Sequence, residues 1–480
     1  MSETARWSLI AGLTALCLCR AGSASDEWSQ FRGPNGSGVS CSKDLPVEFD
    51  LKRNLLWKAD IPPGHSSPVL SSKSIFLTGF EGEELLVLCL EKQTGKLLWR
   101  REVPRNRSDR LRKPNSPASP SPVTDGENVY AFFQDFGLIS YDRNGQERWE
   151  VPLGPFNAFW GMAASPILVE DKLIMSCDQD TNSFLLAVDR KTGRSCWRIA
   201  RPGVISGYST PIQFQPKTGP AQIVIPESFQ LSAYSIVSGD RLWWVRGLAC
   251  EMKSIPAFDG ETLYINGWGF PENQPGKQVA IPALEEVLRG HDANKDGTIS
   301  LEEAPDERLK QEFFFSLFDL DRDKSLNERE WNLYRASMSA ENGLLAIRVG
   351  GKGDMTQSNI RWRYQKPVPQ VPSTLLYQDV LYMVNDGGIL TAFHPADGTV
   401  MKQGRLEGAI DKYFASPVAG ADKVYLVSQG CAVSVLKAGR DWQILAVSRL
   451  DDECYATPAI SNGRIYIRGQ RALYCFGEQD

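Results

Sequence analysis

The sequence predicts an all-β protein, an eight-bladed β-propeller with a small α-helical insertion, and three observations carry that expectation. A motif of small residue, proline and apolar residue recurs along the chain, a glycine-to-tryptophan spacing of four recurs beside it, and one interval between motifs is far too long. The motif stands at Ser67-Pro68-Val69, Ser121-Pro122-Val123, Ser165-Pro166-Ile167, Thr210-Pro211-Ile212, Ile255-Pro256-Ala257, Ser416-Pro417-Val418 and Thr457-Pro458-Ala459, with an eighth copy at Ser373-Thr374-Leu375. The intervals are 54, 44, 45, 45, 118, 43 and 41 residues. Repeats of about 45 residues, rich in turns and aromatics, are the mark of four-stranded blades stacked around an axis.

Each copy carries the same downstream signals. An aromatic usually follows within an alternating strand, at Phe76, Tyr130, Tyr264, Tyr382, Tyr425 and Tyr466, with Ile174 in the third copy. A turn and a tryptophan then close the unit at Gly95/Trp99, Gly145/Trp149, Gly193/Trp197 and Gly239/Trp243. Glycine supplies the positive φ of the turn, and the indole is placed to wedge between neighbouring sheets. The last copy stops before a fourth strand, while Leu55-Leu56-Trp57-Lys58 precedes the first anchor unmatched. That strand is expected to complete blade eight and remove an exposed edge. The expected organisation is an export signal over 1–25, an arm over 26–54, blades one to five over 55–270, an insertion in blade five over 271–342, and the remaining blades over 343–480.

The run Ala187-Val188-Asp189-Arg190-Lys191-Thr192-Gly193, closing at Trp197, resembles the repeat of quinoprotein (pyrroloquinoline-quinone, PQQ) dehydrogenases and of their non-enzymatic relatives, among them the propeller of the outer-membrane protein assembly machinery. The opening Trp28-Ser29-Gln30-Phe31-Arg32-Gly33-Pro34-Asn35-Gly36-Ser37-Gly38 is similar to the start of exported quinoprotein-like propellers from planctomycete-type bacteria. The resemblance covers roughly residues 28–270 and 343–477. It speaks to fold far more than to activity.

The N-terminus reads as export. Arg6 precedes the apolar run Trp7–Leu18, and small residues follow at Ala21–Ser25. The run is too short to span a bilayer, so a periplasmic or extracellular protein without a transmembrane segment is expected. Eight cysteines remain beyond it, which permits disulfides without naming pairs; Cys89 and Cys475 sit in apolar strand patterns and read as core filler. A net charge of −5 without a basic stripe argues against nucleic acid. A monomer is expected.

The long interval holds two loops of EF-hand type, where oxygen ligands stand at positions 1, 3, 5, 7, 9 and 12, with glycine at 6. The first gives Asp292, Asn294, Asp296, Thr298, Ser300 and Glu303, with Gly297 at position 6. The second gives Asp319, Asp321, Asp323, Ser325, Asn327 and Glu330, but Lys324 replaces the glycine. A left-handed residue other than glycine costs roughly 1 kcal/mol or more, so the second loop is expected to bind Ca2+ more weakly. Ile299 and Leu326 at position 8 should pair the loops. Helices are expected over 283–289, 306–318 and 328–337. Residues 282–340 hold 14 acidic and 8 basic side chains, a net of −6. Two Ca2+ ions in an inserted module, serving mainly as structural clips, follow.

A ligand site is expected at the channel mouth. Counting back three or four residues from the second position of each motif (two or three from its first) gives His65, Met162, Tyr208, Met252, Lys253, Tyr413, Phe414 and Tyr455, with Asn157, Phe159, Trp160 and Asp411 nearby. Such an aromatic ring could stack a planar ligand or a sugar face, or merely fill a tapering channel. PQQ enzymes of the family generally carry adjacent cysteines, and here no two cysteines are adjacent. No Cys-x-x-Cys-His haem site is present, and three histidines at 65, 291 and 394 are too scattered for a shared metal. The expectation is therefore a binding or scaffolding protein with a protein or carbohydrate ligand, the alternative being a quinone- or sugar-dependent oxidoreductase; no catalytic residue is assigned.

Overall fold

The computed structural model describes residues 27–478, so the export signal expected over 1–25 lies outside the described residues. Eight sheets follow one another in chain order, each built on four antiparallel strands. Blade one, for example, comprises Val69–Leu70, Ser74–Glu81, Glu84–Glu91 and Leu97–Val103. The fold is the eight-bladed propeller expected. The strand Leu55–Asp60 pairs antiparallel with Ala472–Gly477, so the eighth sheet is built from both ends of the propeller chain.

The anchor motif has a physical role beyond marking each first strand. The backbone N–H of one anchor residue donates to the side-chain hydroxyl of the next: Ser67 to Ser121 (2.8 Å), Ser121 to Ser165 (2.9 Å) and Ser165 to Thr210 (3.0 Å). The chain resumes from Ile255 to Ser373, Ser373 to Ser416, Ser416 to Thr457, and Thr457 back to Ser67. Serine or threonine is needed because each bond stitches two blades around the axis, and each contributes about 1 kcal/mol. The junction from blade four to blade five breaks the series, since Ile255 has no hydroxyl; there Ser209 Oγ donates to the Ser254 carbonyl instead.

The glycine–tryptophan pairs act between blades. The Trp99 ring lies against Gly145 of the next blade, where a Cβ would come within 2.8 Å of it, and Trp99 Nε1 donates to Arg143 O (2.9 Å). Trp149 and Trp197 repeat the arrangement on Gly193 and Gly239, and Trp362 does so on Gly398. Glycine is thus required twice, for its φ near +75° and for the closeness of the indole. The junction from blade four departs again. Trp243 donates to Gln222 within its own blade, and Gly353–Asp354 adds a parallel fifth strand to blade four.

The arm crosses the end of the channel reached after the anchors. Trp28 O and Ser29 O accept from Leu70 N and Thr124 N, Asn35 exchanges two bonds with Gln213, and Ser40 N donates to Ala419 O. The buried Arg32 donates to Thr374 O. One segment therefore ties blades one, two, four, six and seven together and closes that end.

The 268–342 segment leaves blade five at the opposite, open end, between Thr262–Gly267 and Gly343–Arg348, which pair with Tyr264 opposite Ala346. It contains the helices α1 (Leu284–His291), α2 (Glu312–Phe315) and α3 (Glu328–Ser339). The helix expected over 306–318 is mostly turns. Asp306 Oδ1 accepts from the N–H groups of Arg308 and Leu309, and Gln311 is extended at ψ 119, which stops the first turn. Phe314 and Phe318 are thereby turned onto Phe270 and Tyr334. The segment's core also takes in Cys250, Ile205 and Phe229 of the propeller, so the module is packed onto the open face.

Candidate functional site

Two features meet on the open face, a cavity at the channel mouth and the pair of acidic loops. The cavity of about 260 Å³ is lined by the residue two places before every anchor: His65, Ser119, Ala163, Tyr208, Lys253, Val371, Phe414 and Tyr455. In an extended segment, side chains alternate, so the second residue back faces the axis and the third faces a neighbouring blade. Met162, Met252 and Tyr413, three back, are accordingly buried in the blades rather than in the channel. Asn157, Phe159 and Asp411 also stand outside the lining. Asp411 caps the turn at Ser428 and Gly430. Phe31 of the arm lines the closed end, and Asn115, Glu251 and Gln370 complete the wall. Sequence reasoning missed these four because they lie in loops outside the repeat's period.

His65 stacks on Tyr455 at 4.1 Å between ring centres, and Phe414 lies 5.0 Å from Tyr455. Burial and the nearby positive Arg468 push the His65 pKa down to about 3, so the ring is neutral in ordinary conditions. Arg468 itself donates to the carbonyls of Ser66 and Pro62. Lys253 Nζ donates to Glu251 O (3.0 Å) and approaches its carboxylate at 3.4 Å. The Tyr208 hydroxyl is buried and has no hydrogen-bond partner among the described residues. The cavity thus combines aromatic faces, neutral polar groups and one internally compensated charge pair. It suits a ring with hydroxyl or amide edges.

The acidic loops share one backbone. Positions 4 and 6 are left-handed in both, at Lys295 (φ 62) and Gly297 (φ 80), and at Arg322 (φ 66) and Lys324 (φ 73). Ile299 pairs with Leu326 in a two-residue bridge. In each loop the carboxylate at position 12 accepts from the N–H groups of positions 2 and 3: Glu303 from Ala293 and Asn294, and Glu330 from Leu320 and Asp321. Asp319, Asp321 and Asp323 bring carboxylate oxygens within 4.8 Å of one another. Asp319 Oδ1 is buried without a hydrogen-bond partner among the described residues, an acceptor that suits a cation. Loop one holds Asp292, Asn294, Asp296, Thr298, Ser300 and Glu303 at the same positions, and loop two adds Ser325, Asn327 and Glu330. The oxygen-rich donor set fits a hard cation such as Ca2+.

The two features touch. Asn157 Nδ2 donates to Leu320 O at loop position 2 (2.7 Å), and Phe313 lies 5.8 Å from Phe159 and 6.2 Å from Trp160, which lines the cavity. A disulfide joins Cys431 and Cys454, the latter three residues before the last anchor. Cys89 and Cys475 are buried thiols.

With this geometry in place, comparisons with known proteins add the following. A family model described as outer membrane protein assembly factor BamB matches residues 47–267. Among solved structures, BamB from Moraxella catarrhalis is 12% identical, covers 88% of this chain and 98% of its own, and superposes with a TM-score of 0.54. A europium-containing methanol dehydrogenase is 9% identical, with 94% and 98% covered and a TM-score of 0.57. The computationally designed Ika8 protein is 10% identical, with 88% and 99% covered and a TM-score of 0.53. Comparison with curated proteins gives no match. At these identities the likeness is one of fold, that of an eight-bladed propeller. No helix among the described residues is long and apolar enough to cross a membrane.

Proposed function

We propose that the protein is an exported, calcium-binding propeller acting as a binding or scaffolding protein, which takes a protein or carbohydrate ligand at the open channel mouth. The observation that carries the calcium half is the repeated loop backbone, with the same left-handed positions and the same position-12 carboxylate contacts in two tandem segments. In an exported protein such loops bind in the ~0.1–1 mM range, where ions stay bound and act as clips. The cavity's aromatic lining supports the ligand half.

The residues present do not fit PQQ. That cofactor is a planar tricarboxylate, and the lining offers a single cation, Lys253, already bonded to Glu251. The cluster of three carboxylates among the described residues, Asp319, Asp321 and Asp323, lies in loop two rather than in the channel. Calcium binding is tested by calorimetric titration of the full chain, with two ions per molecule expected. Incubation with PQQ and Ca2+ should give no stoichiometric uptake and no dye reduction. Uptake with dye reduction would replace the binding role by an oxidoreductase.

A further inference from the structure

The arginines of the open face divide into two kinds. Arg201 is buried between Asp178 (2.5 Å) and Glu227 (2.8 Å), and Arg105 pairs with Asp135 and Glu83. Arg110, Arg112 and Arg322 have neither an ion pair nor a side-chain hydrogen bond among the described residues. Arg110 and Arg112 are held instead by stacking. The Arg110 and Arg112 guanidinium carbons lie 4.3 and 4.2 Å from the centre of the buried Phe159 ring, and Arg112 lies 5.6 Å from Phe313. Cation–π contact fixes a guanidinium plane while leaving its N–H fork unused. Burial, followed by the charges of Arg112 and Arg322, holds the Arg110 pKa below its ordinary value. Asp180 and Asp319 are the carboxylates nearest in effect, yet neither comes within ion-pair distance of these arginines. Asp180 accepts from Ser206 Oγ, and Asp319 accepts from Lys324 N inside the loop.

Two arginines without an ion-pair partner among the described residues therefore sit beside an apolar surface. Phe313, half exposed at 53%, supplies that surface, and Trp160 continues it into the cavity. Arg112 N also donates to Trp160 O (3.5 Å), and Asn115, part of the cavity wall, donates to the same carbonyl (3.0 Å).

The geometry points to an anion-binding ledge at the rim, formed by Arg110 and Arg112 around Phe159 and Phe313, that receives an oxyanionic group (carboxylate, sulfate or phosphate) of the ligand seated at the mouth. The inference rests on the reading that the mouth takes a ligand, and it specifies that ligand as anionic at its outer end. Carboxylate, sulfate and phosphate groups each offer two oxygens that accept parallel bonds from a guanidinium fork, which is why unpaired arginines rather than lysines suit the role. Calcium in loop two would take up the Asp319 charge and leave the ledge more positive.

The test uses the full calcium-loaded chain and two probes of nearly equal shape, 2-naphthalenesulfonate and the neutral 2-naphthalenemethanol, titrated by calorimetry at low salt. The sulfonate should bind at least about tenfold more tightly, and the preference should vanish in the Arg110→Gln, Arg112→Gln double variant, with folding checked by circular dichroism and by unchanged calcium stoichiometry. Phe313→Ala should weaken both probes alike. Equal binding of the two probes, or a sulfonate preference that survives the double variant, overturns the ledge while the mouth remains a ligand site. Failure of both probes to bind overturns both.

Discussion

Loop 292–303 and loop 319–330 reach one backbone shape by different means. In the first, the carboxylates are met by the loop itself: Thr298 holds Asp296 below the usual carboxylate range, and bonds from Ser300 do the same for Glu303. In the second, burial holds Asp319 and Glu330 above it. Glu330 is 1% exposed, Asp319 Oδ1 is orphaned, and the propeller itself grips the loop through Asn157. The difference teaches that a ligand pattern and a site are separate things. The loop with the perfect pattern is internally satisfied and exposed, whereas the loop with the imperfect one is set against the propeller with a buried carboxylate oxygen left without a hydrogen bond. The proposed second ion is therefore the one coupled to the mouth.

The largest expected effect comes from removing position 12. Glu330→Gln should lower affinity for the second ion by about a hundredfold, about 2.7 kcal/mol, and should also raise amide exchange in segment 157–160. Glu303→Gln should remove the first ion and leave that segment unchanged. Calorimetry with hydrogen exchange reads both, and equal effects on 157–160 would break the comparison.

A smaller effect isolates the grip. Asn157→Ala removes one hydrogen bond to the Leu320 carbonyl, worth about 1 kcal/mol, or roughly fivefold in the second dissociation constant. The first constant should not move. If both shift together, the loops respond as one unit and the buttress has no separate role.

These asymmetries mark how far the sequence could be read. The blades were legible because anchors, aromatics and Gly–Trp pairs are local and periodic, and the loops because ligand spacing is local. What the anchor hydroxyls do was not legible, because each bonds a residue at least 41 positions away. The mouth was misread at Met162, Met252 and Tyr413 because the count stopped one residue off the face that strand alternation presents. The ledge escaped altogether, since Arg112, Phe159 and Phe313 come together only when the inserted module docks. The broken helix over 306–318 has the same origin: tertiary packing of Phe314 and Phe318 outweighs local helical preference.

The smallest expected effect concerns the residue that made the second loop look weaker. Lys324 is left-handed at φ 73, so the strain of a side chain there, about 1 kcal/mol, is already part of the fold rather than incurred on binding. Lys324→Gly relieves it but makes the unfolded chain freer by about 0.4–1 kcal/mol. The two nearly cancel, and the variant should change the second calcium constant by less than about threefold. Gly297→Lys in the first loop runs the same two terms in reverse, strain added and unfolded-state freedom removed, so the first constant should also change by less than about threefold. Nothing lies within 4 Å of the position a Gly297 Cβ would take, so no clash adds to these two terms. A tenfold gain in Lys324→Gly would mean that position 6, not the surrounding protein, ranks the two loops.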